Sequence, residues 1–170
     1  MVEHLPSSGS YTKLKNNPLN SISKEVASSI KAHPSLNPLS RKLIVSNPLT
    51  LRIYGLPKIH KSGAPLRPIV NTINGLTYPL AKFLAQKLKP LVGCTDSFVK
   101  DSASFVQEWK DIKLDPGDLL VSFDVISLYT KIPIQEAIDI INRITDKDTA
   151  KLVGLCLTST FFSFQGESYK

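Results

Sequence analysis

The chain has 170 residues, 42% of them hydrophobic, and a formal net charge of +7. That length supports one good core, or one and a part, and that composition is globular rather than disordered. No apolar run is long enough to cross a membrane, and the N-terminus lacks a signal-peptide pattern. Cys94 and Cys156 have no metal-type spacing and His4, His33 and His60 are scattered, which argues against zinc and for a reduced compartment.

Charge is unevenly placed. Residues 1–110 carry 15 Lys and Arg against 5 Asp and Glu, whereas residues 111–170 carry 6 against 9. From Val26 to Thr95 there are 10 basic residues and no acidic one. A one-signed segment of this length is an electrostatic footprint for a polyanion. The plainer alternative is a solvated surface that happens to be basic.

The first twenty residues read as irregular and polar. Ser21 or Ser23 is placed to cap a helix with Ile22, Val26 and Ile30 on its apolar stripe. Pro34 ends that helix at about Lys31 or Ala32, because the residue before a proline avoids the helical region. Ser35 to Thr50 is a proline-broken connection with one short apolar piece, Leu43–Val45. Leu51–Leu56 and Leu66–Val70 then flank a loop containing Lys58, His60, Lys61 and Gly63, which predicts a β-hairpin with a basic tip. Pro57, Pro65 and Pro68 keep its strands short or at an edge. Lys58, Lys61 and Arg67 suit a phosphate chain, Arg offering a planar fork and Lys a point charge. A surface hairpin with solvated lysines fits the same spacing.

Tyr78 to Leu91 predicts an amphipathic helix. Leu80, Phe83, Leu84, Leu88 and Leu91 form one side, Lys82, Lys87 and Lys89 the other, with Thr77 and Pro79 at its start. Those lysines either follow a nucleic-acid backbone or only solvate the helix. A second helix, Ser102 to Ile112, is expected to turn Phe105, Val106, Trp109 and Ile112 inward, with Trp109 in the core. After a turn at Asp115–Asp118, the stretch from Leu119 reads as a buried strand. Leu119, Val121, Phe123 and Val125 alternate onto one face, and Leu120, Ser122 and Asp124 share the other. A carboxylate at the end of such a strand is costly unless solvated, paired or bound to a cation. A capping Asp and a metal-binding Asp fit the stretch equally well. Helices are expected from Pro133 to about Ile144 and from Thr149 to Thr158. Phe161 to Tyr169 alternates like a strand, with Gly166 in a turn.

At this point the residues carry a resemblance. YGLPKIHKSGAPLRPIV (54–70), the helix that follows, and LVSFDVISLYTKIPIQEA (120–137) together resemble the reverse transcriptase of Penelope-like retroelements. More distantly, the Pro57-Lys58 and Leu66–Val70 pieces are similar to the finger motifs of telomerase. The resemblance covers roughly Tyr11 to Lys170. It implies an α+β right-hand polymerase fold, with residues 1–115 as fingers and fingers–palm connection and residues 116–170 as the first part of the palm.

The same resemblance implies roles. Asp124 is then the catalytic, metal-binding carboxylate, and the Val125 carbonyl assists a second Mg2+ ion. Lys58 and Arg67 contact the triphosphate of the incoming nucleotide. Tyr129 lies beneath the sugar as a steric gate, its rival reading being a core tyrosine. Apart from the resemblance, Lys61 at the hairpin tip and Lys82, Lys87 and Lys89 on the helix face are the candidates to meet a nucleic-acid backbone. The implied partners are an RNA template, a DNA primer and deoxynucleoside triphosphates, without a membrane, in an intracellular and nuclear setting. The family's glycine-rich template grip and paired Asp-Asp hairpin do not occur in the chain. The chain alone is therefore expected to bind nucleic acid without polymerising, and to expose an apolar, unpaired strand edge around Phe161–Phe164. Alternatives are a non-catalytic basic nucleic-acid-binding module and a non-functional retroelement remnant.

Overall fold

The protein is described by a computed structural model covering residues 11–125 and 128–170, with the backbone alone at Tyr129 and Thr130. The fold is α+β: helices gathered around one core, beside a single four-stranded sheet. Helix α1 spans Leu19–Ala32 and buries Val26 and Ile30. It begins before the expected serine caps. Asn17 Oδ1 accepts the Leu19 N–H at 3.0 Å, and the Ser21 hydroxyl donates to the Pro18 carbonyl at 2.9 Å. At the other end His33 turns extended, with ψ 118°, as the proline after it requires.

A 3-10 turn, Asn37–Leu39, and a short α2, Ser40–Leu43, follow. Helix α3, Tyr78–Leu88, has Thr77 at its N-cap without a side-chain bond there, and runs into a 3-10 turn at Lys89–Leu91. Helix α7, Lys147–Thr158, is capped by Asp146, whose Oδ1 accepts the Thr149 N–H at 2.7 Å. The core is helical. Val26, Ile30, Leu36, Leu43, Leu76, Leu80, Leu84 and Leu152 form one buried cluster drawn from these helices and from the turns at Leu36 and Leu76. Burying each such side chain contributes about 1.5–3 kcal/mol before the entropy of ordering is subtracted.

Strands β1 (Leu51–Pro57) and β2 (Leu66–Val70) form the expected antiparallel hairpin, with Ile53 opposite Val70 and Pro57 opposite Leu66. The strand order β2-β1-β3-β4 leaves β2, with Pro68, at an edge. Strands β3 (Phe162–Phe164) and β4 (Glu167–Tyr169) turn through Gln165 and Gly166, both at positive φ (50° and 84°), as a two-residue hairpin needs. Strand β3 joins β1 in parallel, Leu51 beside Phe162 and Arg52 beside Ser163. The sheet therefore pairs residues on both sides of position 115.

The open edge expected at Phe161–Phe164 is corrected: β3 is paired on both sides, and Phe161 and Phe162 are buried. Beyond β4 the N-terminal residues close the sheet. Thr12 and Lys170 exchange backbone hydrogen bonds of 2.7 and 2.9 Å, the Leu14 N–H donates to the Ser168 carbonyl at 2.8 Å, and Lys13 pairs with Glu167 at 3.1 Å. Tyr11 meets Phe162 edge-on, and Tyr169 stacks on it.

Two further expectations are overturned. Residues 119–125 form no strand: Leu119 is 84% and Phe123 91% exposed, and no backbone hydrogen bond to them is found among the described residues. Alternation marks which side chains share a face, but a strand also needs a neighbour to take its N–H and C=O groups. Helix α4 is shorter than expected, Ser102–Trp109, with Asp101 accepting the Ser104 N–H at 2.8 Å. Its Phe105, Val106 and Trp109, with Ile112 beyond, are exposed rather than inward. Phe105 and Trp109 stack on each other, 5.2 Å apart. A short α5 (Leu128–Lys131) precedes α6 (Ile134–Ile144), whose Ala137, Ile138 and Ile141 are only half-buried. The α6–α7 approach is close at Gly154, where an added Cβ would lie 3.2 Å from Ile138.

Candidate nucleic-acid interface

Register fixes which hairpin side chains share a face. Leu56 lies opposite Arg67 and Tyr54 opposite Ile69, so Arg52, Tyr54, Leu56, Arg67 and Ile69 stand on one side of the sheet. The Lys58 N–H donates to the Pro65 carbonyl at 3.0 Å, which extends the ladder by one pair and puts Lys58 on that same side. The tip then closes through bonds from Lys61 N–H to the Lys58 carbonyl and from Ala64 N–H to the Lys61 carbonyl. Gly63 at φ 72° and Ala64 at φ 40° make the reversal.

Arg67 and Lys61 are exposed and Lys58 is half-buried. Among the described residues, Arg52, Lys58, Lys61 and Arg67 enter no ion pair. The acid-free stretch around them leaves no carboxylate nearby in sequence to neutralise them. The face is thus a row of uncompensated cations beside an exposed tyrosine ring.

The lysines of α3 and of the turn that follows it differ in their partners. Lys82 and Lys89 are exposed. Lys87 is exposed too but has partners on the surface, its Nζ 3.1 Å from Asp146 Oδ2 and 2.6 Å from Thr149 Oγ1. The Thr149 hydroxyl in turn donates to Asp146 Oδ2 at 2.6 Å. The Thr149 hydroxyl and N–H, with Lys87 beside them, hold the Asp146 carboxyl well below the usual carboxylate range. Lys87 ties α3 to α7, through an ion pair that stays open to solvent.

Asp124 and Val125 lie in the exposed, unpaired segment. No hydrogen bond or ion pair among the described residues joins Asp124 to the hairpin. The Tyr129 side chain lies outside the described residues; its backbone belongs to α5. Among the described residues, no three His, Cys, Asp or Glu side chains gather as a metal site would require. Asp124 and the Val125 carbonyl are oxygen donors of the hard type magnesium takes, but one carboxylate falls short of the donor set for two ions. Burial pushes the Cys156 thiol up to about 11, which leaves it protonated and unreactive at neutral pH.

Sequence reasoning missed Arg52 and Tyr54. Both sat within a stretch read simply as apolar. The signal was the two-residue alternation Arg52, Tyr54, Leu56, Lys58, which separates that face from Leu51, Ile53 and Gly55. Among the described residues no helix is long and apolar enough to cross a membrane. No protein-family model, curated protein or solved structure matches the chain.

Proposed function

We propose that the chain is part of an RNA-directed DNA polymerase and supplies the fingers surface that grips phosphate. The observation that carries this reading is the β1–β2 hairpin, which places Lys58 and Arg67 on one face with no ion-pair partner among the described residues. A guanidinium fork and an ammonium on a stiff hairpin suit the oxygens of a triphosphate or a nucleic-acid backbone. Their contribution to catalysis is positioning. Asp124 is the metal-binding carboxylate in this reading, magnesium supplying charge stabilisation at the reacting phosphate when a full donor set holds it. RNA template, DNA primer and deoxynucleoside triphosphates are the partners, in the nucleus.

A second reading is a basic nucleic-acid-binding module without catalysis. It is favoured by Asp124 standing alone in an exposed segment. Two assays on the purified chain separate the readings. Filter binding across a salt series should show affinity falling steeply with salt, as phosphate contacts require. Primer extension with magnesium should be absent for this chain and present when the remainder of a palm with an Asp-Asp hairpin is fused after Lys170. No extension by a folded fusion would favour the binding module, and salt-insensitive binding would remove both.

A further inference from the structure

Two cavities of about 460 and 470 Å3 lie side by side on the sheet face that carries Arg52 and Tyr54. They share Thr50 and Ser163, so they form one continuous groove. Register explains its floor. Arg52 lies beside Ser163, and Ser163 opposite Ser168, so across three strands only two serines stand between Arg52 and the closing N-terminal segment. Small side chains there leave room for a flat group. One wall holds Tyr54, 44% exposed, with Asn71 and Ile73. The other holds Lys15 and Asn16 from the segment that caps β4.

The charge of the groove is settled by pairing. Glu167 is its one acid, and Lys13 neutralises it at 3.1 Å. Arg52 and Lys15 are exposed and enter no ion pair among the described residues. Tyr54 and Arg52 are two residues apart on one strand face, roughly 7 Å at about 3.4 Å rise per residue. An aromatic platform beside cations, over a floor of small polar side chains, suits a base together with its phosphate.

We propose that this groove binds unpaired nucleic acid, a base stacking on Tyr54 while Arg52 and Lys15 hold flanking phosphates. It rests on the nucleic-acid reading above and adds a second binding site, apart from the hairpin tip. A duplex keeps its bases stacked inside and has none to offer Tyr54, so the groove prefers single strands.

The test uses the purified chain and fluorescence anisotropy. The probes are a labelled single-stranded oligonucleotide and a labelled duplex of the same sequence, each over a salt series. Tyr54→Leu should weaken single-strand binding roughly tenfold, the effect of losing one stacked base, and leave duplex binding unchanged. Tyr54→Phe should bind like the parent. Arg52→Ala should make the log–log salt dependence shallower by about one phosphate's worth. A mononucleotide and an acidic peptide should each fail to displace the strand at equal charge concentration. Equal single-strand affinity for Tyr54→Leu and the parent, with melting temperatures alike, overturns the groove while the phosphate-gripping hairpin stands. Displacement by the mononucleotide or the peptide also overturns it, since the site is then not specific to a strand. Loss of binding in Lys58→Ala and Arg67→Ala alone assigns the strand to the hairpin tip and overturns the groove. Absence of any binding by the parent chain overturns both.

Discussion

Lys87 Nζ lies 3.1 Å from Asp146 Oδ2 and 2.6 Å from the hydroxyl of Thr149, which is itself 1% exposed. Residues on α3 and at the start of α7 are thereby closed into one hydrogen-bonded ring. The Asp146 carboxyl is held below its ordinary value of 3.8, first by the Thr149 hydroxyl, then by the Thr149 N–H and Lys87. A depressed carboxylate contributes stability that is present above the ordinary value and lost as pH falls below it. Asp146→Asn should therefore lower the melting temperature at neutral pH, and the gap to the parent should narrow as pH falls through 4 and below. Thermal melts over a pH series check this, and a gap that widens in acid would contradict the ring. Thr149→Val, which removes a buried hydroxyl, should cost about 1–2 kcal/mol.

The position of the core gives a second prediction. Leu84 is buried among α1, α2, α3 and α7, so Leu84→Ala should cost about 2–4 kcal/mol in urea unfolding. Trp109 reads as a core residue in sequence but is exposed, so Trp109→Ser should change stability by less than about 0.5 kcal/mol. Equal costs at the two sites would place the core elsewhere.

The exposed segment gives a third. Leu119, Leu120, Val121 and Phe123 present apolar side chains to solvent without a neighbouring strand. Phe123→Lys should raise the solubility limit and slow light-scattering growth, with the unfolding midpoint unchanged, because a charge breaks an aggregation-prone stretch. If Phe123→Lys left aggregation unchanged while the protein stayed folded, the exposed segment would not be the sticky surface.

Lys58→Ala and Arg67→Ala should each weaken binding of a deoxynucleoside triphosphate by about tenfold, the size expected for removing one charge-assisted hydrogen bond. Each should leave the melting temperature nearly unchanged, because neither side chain enters an ion pair among the described residues. Isothermal titration and melts together separate a binding role from a structural one.

If the proposed function holds, Asp124→Asn in a polymerase that contains this segment should abolish nucleotide addition while preserving the fold, since the side chain is exposed. Tyr129→Ala should admit ribonucleotides more readily. Primer extension with deoxy- and ribonucleotides measures both. Near-normal extension by Asp124→Asn would remove the metal assignment, and unchanged sugar selectivity in Tyr129→Ala would make that residue a core tyrosine.

Local signals read well. The β1–β2 hairpin, α1, α3, α6, α7 and the turn at Gly166 all follow from periodicity, prolines and turn residues within a few positions of each other. What failed was partnership. The alternation of Leu119 to Val125 and the stripe Phe105, Val106, Trp109 state which side chains share a face, but nothing in a linear pattern states what covers it. The parallel pairing of Leu51 with Phe162 was equally hidden, because a crossover leaves no short-range mark. The cations of the hairpin were legible one by one. Their arrangement with Arg52 and Tyr54 needed the register, and the pairing of Lys87 needed Asp146, far off in sequence.

The parallel β1–β3 pairing also sets an order of events during synthesis. The β1–β2 hairpin can form as soon as Val70 is made, but the Leu51–Arg52 end of β1 lacks its second partner until Phe162 and Ser163 emerge. Pairings this remote in sequence form slowly, and an uncovered strand invites pairing with another chain in the meantime. The floor of the Arg52 groove is made from that late-arriving hairpin. A nascent chain thus acquires its cationic tip early and its groove only once residues 162–169 have emerged, so a chain that stops before them should be prone to self-association.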